Sequence, residues 1–202
     1  MTHRWILASS NLGKLKEIKT ALSPSGLIIV PQSDFNIDPA EETGSTFLEN
    51  ALQKARHVAS QTGQPAIADD SGLVVDALSG QPGIRSARFA GSHANDNDNV
   101  NKLLDALKNV PKERRGAYFY CVVVAIKGPT DPVPLIGIGS WSGIIVRKPR
   151  GETGFGYDPI FLVPELKCTA AELPLEVKNR LSHRAQALAQ IQRSLAVNLD
   201  YD

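Results

Sequence analysis

Two adjacent aspartates inside an apolar stretch limit the fold of this chain more than any other feature. Asp69 and Asp70 follow the apolar run 65–68 and precede a Ser-Gly pair and a second apolar run that begins at Leu73. A buried carboxylate is costly unless something pairs with it, so a strand built for packing alone would not end on Asp-Asp. A divalent metal is a natural partner, because hard cations take oxygen ligands. A solvated Asp-Asp-Ser-Gly turn is the other interpretation that this pattern leaves open.

Helical and strand patterns alternate along the chain and predict an α/β fold with a partly parallel sheet. Thr46 and Glu49 have the spacing of a capping box, which predicts a helix that ends at Gly63. No linker interrupts the chain, which predicts a single domain over 1–202, and residues 198–202 are predicted to be a frayed tail. The other predicted strands are Trp5–Ala8, Leu27–Val30, the aspartate strand, Tyr118–Ile126 and Pro134–Val146, and the other predicted helices are Gly13–Leu22, Asn95–Asn109 and Leu175–Leu195.

Charge and hydropathy exclude some classes of protein. The chain has 22 basic and 21 acidic side chains and a formal net charge of +1, which argues against a protein that coats nucleic acid or an anionic membrane. No apolar stretch approaches the roughly 20 residues of a membrane span, and the first eight residues lack the apolar core of a signal peptide. Cys121 and Cys168 form no metal-binding spacing. We therefore expect a cytoplasmic protein with no nucleic-acid or membrane partner.

Several polar segments have compositions that suit a phosphorylated ligand and its metal. The segment Ser9–Lys14 joins a predicted strand to a helix N-terminus, where free amides and the helix dipole attract phosphate, although an ordinary turn with an N-cap has the same pattern. Glu41 and Glu42 lie just before the capped helix and are equally consistent with a solvated loop. Lys54 lies beside the apolar stripe of that helix, where a surface lysine with a buried stem is the alternative.

A second group of residues suits an aromatic base. Glycines surround Phe155 and Tyr157, and an accessible ring at either position can stack on a nucleobase, while Asp158 can accept from a ring N–H. A turn with aromatic plugs is the alternative. The run 182–184, Ser-His-Arg, follows Lys178 and offers donors for a carbonyl-bearing base edge, or else a solvated basic helix face.

Taken together, these segments resemble the inosine triphosphate pyrophosphatase family, also called Ham1-like proteins, and most of all its bacterial branch of dITP/XTP pyrophosphatases. The resemblance covers nearly the whole chain and rests on six segments in order: Ala8–Lys14, Glu42–Gly44 with Thr46–Ala51, Ala68–Leu73, Pro82–Gly91, Gly154–Pro159 and Ser182–Arg184.

The resemblance implies an elongated two-lobed α/β fold around a long mixed sheet with flanking helices and an active-site cleft between the lobes. It implies hydrolysis of noncanonical purine nucleoside triphosphates (ITP, dITP, XTP) to the monophosphate and pyrophosphate, with Mg²⁺ as cofactor and a homodimer as the assembly. The catalytic residues would be Asp70, as base, and Lys54. The metal ligands would be Asp69, Asp70, Glu42 and Glu41. The substrate-binding residues would be Ser9, Ser10, Asn11, Leu12, Gly13, Lys14, Ser71, Phe155, Gly156, Tyr157, Asp158, Lys178, His183 and Arg184. Phe155 would stack on the base. The edge of the base would be read by Asp158, Lys178, His183 and Arg184.

Two rival functions belong to other classes. A regulator that binds nucleotide without hydrolysis would keep the pocket, but the intact Asp69-Asp70 pair and Lys54 argue against it. A nucleic-acid-binding module could use the arginine and aromatic residues, but the balanced charge argues against it.

Overall fold

Alternating strands and helices build a mixed sheet with flanking helices. The computed structural model describes residues 4–199. Its strands are β1 (Arg4–Leu7), β2 (Ile28–Pro31), β3 (Ala66–Val75), β4 (Gly116–Ile126), β5 (Leu135–Ile145), β6 (Phe161–Val163) and β7 (Cys168–Thr169). Its α-helices are α1 (Leu12–Leu22), α2 (Phe47–Thr62), α3 (Asp96–Ala106), α4 (Leu175–Leu181) and α5 (His183–Leu199).

The strands described in residues 4–199 form one sheet in the order β2-β1-β3-β4-β5-β6-β7. β1 pairs in parallel with β2 and with β3, whereas β6 pairs antiparallel with β5 and with β7. The predicted α/β class and the mixed sheet are therefore confirmed. Among the helices of this stretch, none has the length and apolarity to cross a membrane.

The chain divides into two compact units, each assembled from separate segments. The first unit takes the chain up to Asp70, then Cys121–Gly139, and then the chain from His183 onward. The second takes Ser71–Tyr120 and Ser140–Ser182. The chain thus passes from one unit to the other four times: within β3, within β4, within β5 and between α4 and α5.

The core of the first unit joins the earliest and the latest elements of the chain. Apolar side chains of α1 and α5 pack into one cluster with residues of β1 and β4, including Ile18, Leu22, Ile191 and Leu195. Gly137 and Gly139 of β5 lie directly against backbone carbonyls of Ala187 and His183, so that any side chain there would collide with α5. The absence of a side chain at these two glycines therefore sets how closely strand and helix pack.

The core of the second unit contains a group of packed aromatic rings. The ring of Phe161 lies 4.5 Å from that of Phe119 and 5.5 Å from that of Trp141, measured between centroids. The buried guanidinium of Arg115 donates to the carbonyls of Leu107, Ile145 and Val146. The Arg115 side chain thus links the end of α3 to the end of β5 by donating to backbone carbonyls at both places.

The predicted capping box is present at the start of α2. The Thr46 hydroxyl accepts from the Glu49 N–H at 3.2 Å, and the Glu49 carboxylate accepts from the Thr46 N–H at 2.9 Å. Gly63, in the left-handed region with φ of 65°, ends the helix. The helix register that follows buries Asn50, Ala51, Ala55, Val58 and Ala59.

Two predicted boundaries are wrong. The aspartate strand does not end at Asp69-Asp70 but continues as β3 to Val75, since both carboxylates are buried against cations and need no turn to reach water. The last predicted helix is two helices, because Ser182 has an extended backbone (ψ 155°). Serine is favoured at that position, which directly precedes the first residue of α5. α5 continues through Leu199, and residues 200–202 of the predicted tail lie outside the described residues.

Candidate active site

The loop after β1 presents a helix N-terminus. The Asn11 side chain caps α1 by accepting from the Lys14 N–H at 3.0 Å, and the Ser9 hydroxyl accepts from the Asn11 N–H at 3.2 Å. Ser10, Asn11 and Leu12 are exposed, while Gly13 is half-buried. The first N–H groups of a helix have no partner within the helix, so this loop has the donors that an anion requires.

Asp69 is the buried centre of a charge network in the first unit. Its Oδ2 atom lies 2.9 Å from Lys14 Nζ and 3.3 Å from Arg184 Nε, and Arg184 also donates through Nη1 to Glu17. Burial alone would raise the pKa of Asp69, but the charges of Lys14, Arg184 and Lys54 outweigh it and hold that pKa well below its usual range. Asp69 is therefore ionised at neutral pH, even though its carboxylate is inaccessible to bulk water.

Asp70 and Glu42 share one ammonium group. Lys54 Nζ lies 2.9 Å from Asp70 Oδ1 and 3.0 Å from Glu42 Oε1. Burial alone would lower the pKa of Lys54, yet Asp70, Asp69 and Glu42 keep it above its usual value. Burial raises the pKa of Asp70, and the nearby Lys54 only partly offsets this. Asp70 is thus a stronger base than a solvated aspartate, which is what general-base catalysis near neutral pH requires.

Asn50 is a residue of this cluster for which the sequence suggested no role of its own. It lies one helical turn before Lys54 and donates through Nδ2 to Asp70 Oδ2 at 3.2 Å. The available signal was a polar side chain at a position where the helical stripe is otherwise apolar. Glu17 was missed as well; it lies one turn after Lys14 on α1.

A second cluster joins the glycine-rich loop of the second unit to α4. Lys178 Nζ lies 2.6 Å from Asp158 Oδ2 and 4.9 Å from the centroid of the Phe155 ring. Asp158 Oδ2 also accepts from the Phe155 N–H at 2.9 Å, an approach that needs a glycine at 154, where a side chain would collide with the carboxylate. A half-buried aromatic ring, a buried carboxylate and a buried ammonium therefore lie within a few ångströms of one another.

This loop is held from both sides. The Asp96 carboxylate accepts from the Gly156 N–H at 2.7 Å, and the Tyr157 hydroxyl donates to the Ser86 carbonyl at 2.9 Å. Tyr157 is almost fully buried, so it packs as a plug, and Phe155 is the more exposed of the two rings. The interpretation as an aromatic plug therefore fits Tyr157, and stacking on a base stays a prediction for Phe155.

A model of the Ham1 family matches residues 5–194, nearly the whole described chain. The chain belongs to the Ham1 family. It is 56% identical over 183 residues to the dITP/XTP pyrophosphatase of Yersinia pseudotuberculosis, covering 91% of this chain and 93% of the relative. It is 57% identical, with the same coverage, to the dITP/XTP pyrophosphatase of Shigella flexneri. Among solved structures, a HAM1 protein from Coxiella burnetii superposes with a TM-score of 0.91 at 48% identity, over 96% of this chain and 99% of that one.

Within this Ham1 chain, the residues with predicted roles fall into two sets. The first unit holds Ser9–Lys14, Glu41, Glu42, Lys54, Asp69, Asp70, His183 and Arg184, and the second holds Ser71, Phe155, Gly156, Tyr157, Asp158 and Lys178. In the first unit, the structure brings Lys14, Glu42, Lys54, Asp69 and Asp70 together through ion pairs. Glu41 is exposed, whereas Glu42 is the acidic residue that contacts Lys54.

Three alternatives that the sequence left open are excluded by this geometry. Asp69 and Asp70 are not a solvated turn, since they are 1% and 5% exposed. Lys54 is not a surface lysine, because its ammonium contacts two carboxylates. Residues 182–184 are not a solvated basic face, because all three are buried. Two nitrogens of Arg184 contact Asp69 and Glu17, so its role in reading a base stays a prediction.

Proposed function

We propose that this Ham1 protein hydrolyses deaminated purine nucleoside triphosphates, ITP, dITP and XTP, to the monophosphate and pyrophosphate, and so keeps deaminated purines out of nucleic acid. The observation that carries the proposal is the cluster around Lys54, where Asp70 combines burial, a raised pKa and a cationic neighbour beside the α1 N-terminus. The relatives named above are dITP/XTP pyrophosphatases, which supports two of these substrates, dITP and XTP.

The chain's own residues account for the steps of the reaction. The amides at the start of α1 and the side chain of Lys14 would bind phosphate oxygens, and Lys54 would neutralise charge that develops on them. Asp70 would take the proton from a water molecule. The oxygen of that water forms a bond to the α-phosphorus, the bond to the α–β bridging oxygen breaks, and pyrophosphate leaves with the electron pair.

The residues of the first unit fit a magnesium ion. Glu42, Asp69 and Asp70 supply carboxylate oxygens, the ligands that Mg²⁺ prefers, and a cationic group, the Lys54 ammonium, already lies between two of them. No three His, Cys, Asp or Glu side chains within 4–199 are gathered closely enough to hold a metal by themselves, and Mg²⁺ is commonly held by one or two carboxylates together with substrate phosphates. The ion would supply further charge neutralisation on those phosphates.

The second cluster provides a chemical basis for choosing the base. Hypoxanthine and xanthine have a carbonyl at C6, where adenine has an amine, and Lys178 can only donate. An N–H of Lys178 therefore suits the carbonyl, whereas adenine would bring its amine, a second donor, against that N–H, at a cost of about 1–3 kcal/mol. Phe155 would stack on the base and Asp158 would accept from a ring N–H. Guanine also has the C6 carbonyl, so its rejection needs another contact.

A hydrolysis assay over a panel of substrates tests the proposal. We expect ITP, dITP and XTP to yield monophosphate and pyrophosphate when Mg²⁺ is present, with much slower turnover of ATP and no turnover in EDTA. Chromatography of the nucleotide product separates this cleavage from release of the terminal phosphate. Tight binding of ITP without any product would favour the nucleotide-binding regulator instead.

Two further features belong to the proposal, and the family resemblance implies the first of them. We expect a homodimer in solution, which light scattering after size-exclusion chromatography measures directly. We also expect the protein to act in the cytoplasm, where its substrates form.

A further inference from the structure

Asn50 is a fully buried polar side chain on the same face of α2 as Lys54. A buried amide is costly unless its oxygen and nitrogen both find partners. Asn50 has both, since Oδ1 accepts from the Gly44 N–H at 2.8 Å and Nδ2 donates to Asp70 Oδ2 at 3.2 Å. A backbone N–H can only donate, so the amide oxygen must face Gly44, and the nitrogen must then face Asp70.

The contact with Gly44 holds the loop that carries Glu42. A Cβ atom on Gly44 would lie 2.7 Å from Asn50 Oδ1 and 2.7 Å from Glu49 Cβ, so the loop backbone lies directly on the first turn of α2. Glu42 lies two residues before Gly44 and contacts Lys54. The start of α2 thus connects the Glu42 loop to β3 twice, once through the Lys54 ammonium and once through the Asn50 amide.

Lys54 and Asn50 contact different oxygens of the Asp70 carboxylate. Lys54 contacts Oδ1 and Asn50 contacts Oδ2, and these two contacts together fix the plane of the carboxylate. A phosphate can attract the Lys54 ammonium away from Asp70, and a metal ion can displace it from the carboxylate, whereas the neutral Asn50 amide has no such competitor. The Asn50 contact is therefore the one suited to hold Asp70 through a reaction cycle.

We propose that Asn50 is a positioning residue that fixes the orientation of Asp70 and its separation from the Glu42 loop. The inference rests on the proposed function, since it takes Asp70 to be the group that accepts the proton. Removing an amide that orients a reactive or metal-binding carboxylate typically costs 10–100-fold in activity, and here we expect that loss in kcat, with KM for ITP changed less than about threefold.

Three variants separate the two contacts of Asn50. Asn50→Ala removes both. Asn50→Asp keeps an acceptor for the Gly44 N–H but cannot donate to Asp70 while ionised. Gln53→Ala is the matched control, because the Gln53 side chain ties the neighbouring Thr43 to α2 one turn later, at the exposed side, without touching Asp70.

The experiment measures kcat and KM for ITP, together with the melting temperature of each protein without substrate. We expect kcat to fall 10–100-fold in both Asn50 variants and to change less than twofold in Gln53→Ala. The reciprocal double variant Asn50→Asp/Asp70→Asn, which exchanges donor and acceptor, should melt higher than Asn50→Asp alone yet stay inactive. This readout does not depend on activity, and it remains available if Asn50→Ala fails to fold.

Each contrary result has a distinct meaning. A wild-type protein that releases no pyrophosphate would overturn the proposed function and this inference with it. An active wild type with an unchanged kcat in Asn50→Asp would overturn the inference alone. A rise in KM at constant kcat would also overturn it, since it would place Asn50 in substrate binding.

Discussion

Replacing Arg184 by Met should destabilise the protein before it changes selectivity for the base. The variant keeps an unbranched side chain of similar length but removes the guanidinium that lies between Asp69 and Glu17. Asp69 is 1% exposed and cannot turn to water. Removing one partner of a buried ion pair typically costs about 3–5 kcal/mol, because the other charge stays buried. Lys14 still contacts Asp69, so we expect the lower half of this range.

The expected change in melting temperature follows from the size of the chain. Unfolding entropy is about 2.1 cal/mol/K per residue, so 202 residues give an unfolding entropy of roughly 0.4 kcal/mol/K by that same average. A loss of about 3–4 kcal/mol, the lower half of that range, then lowers the melting temperature by roughly 7–10 °C. Arg193→Met on the exposed side of the same helix is the control, and a surface change of this kind should shift it by only about 1 °C.

The difference in melting temperature between the wild type and Arg184→Met should depend on pH in a definite direction. The pKa of Asp69 is lower in the folded protein than in the unfolded chain. The contribution of ionised Asp69 to the free energy of unfolding is therefore present above about pH 3.9 and is lost as the pH falls further. Arg184 is one of the charges that keep this pKa low. The gap in melting temperature between the wild type and Arg184→Met should therefore be largest near pH 7 and should narrow below about pH 4.

Calorimetry at several pH values and kcat/KM for ITP and ATP test these expectations together. We expect a lower melting temperature and similar fractional losses for both nucleotides. An unchanged melting temperature with a loss confined to ITP would refute the reasoning. It would show that Arg184 reads the base, as the family resemblance implied, and that its contacts with Asp69 and Glu17 contribute little.

Four further predictions concern other residues. Asp70→Asn should abolish turnover of ITP while leaving the melting temperature within a few degrees, since asparagine keeps the shape but is not a base; turnover near the wild-type rate would contradict the assignment. Mg²⁺ should raise the melting temperature of Lys54→Met more than that of the wild type, because the ammonium and the ion compete for the same oxygens; equal shifts at matched ionic strength would speak against a metal there. Lys178→Met should lower kcat/KM for ITP by roughly 10–150-fold, the value of a charge-assisted hydrogen bond, and leave ATP nearly unchanged; parallel losses would remove Lys178 from base recognition. Burial raises the pKa of the Cys121 thiol to about 12, so iodoacetamide at pH 8 should leave Cys121 unmodified in the native protein, and its rapid alkylation would show that the core opens.

Much of the fold was predictable because local chemistry determines it. The capping box of Thr46 and Glu49 located the start of α2, since two backbone N–H groups there need side-chain acceptors. The end of the aspartate strand was not predictable, because carboxylates break a strand only when they must reach water. Whether they must depends on cations distant in sequence, and Arg184 contacts Asp69 from 115 positions along the chain.

The sequence predicted which residues belong to the candidate site, but it predicted few of the contacts between them. Lys54 and Glu42 were singled out by the family resemblance, since each by itself was consistent with a solvated surface residue. The sequence suggested no role for Asn50, because a neutral amide within a helix is usually solvated. Its importance comes from facing Gly44 and Asp70 together, which only the packed backbone determines.

The helices α1 and α5 of the first unit lie far apart in the sequence, and this separation has a consequence for synthesis on the ribosome. Its core places Ile18 and Leu22 of α1 against Ile191 and Leu195 of α5, so the surface that α1 offers stays uncovered until the last helix has been made. About 160 residues separate these helices, which at 5–20 residues per second is a delay of roughly 8–30 s. During that time the nascent chain presents an apolar surface on which a chaperone can bind. Factors that slow elongation late in the message would lengthen this exposure, and with it the risk of aggregation, without altering a single residue of the finished protein.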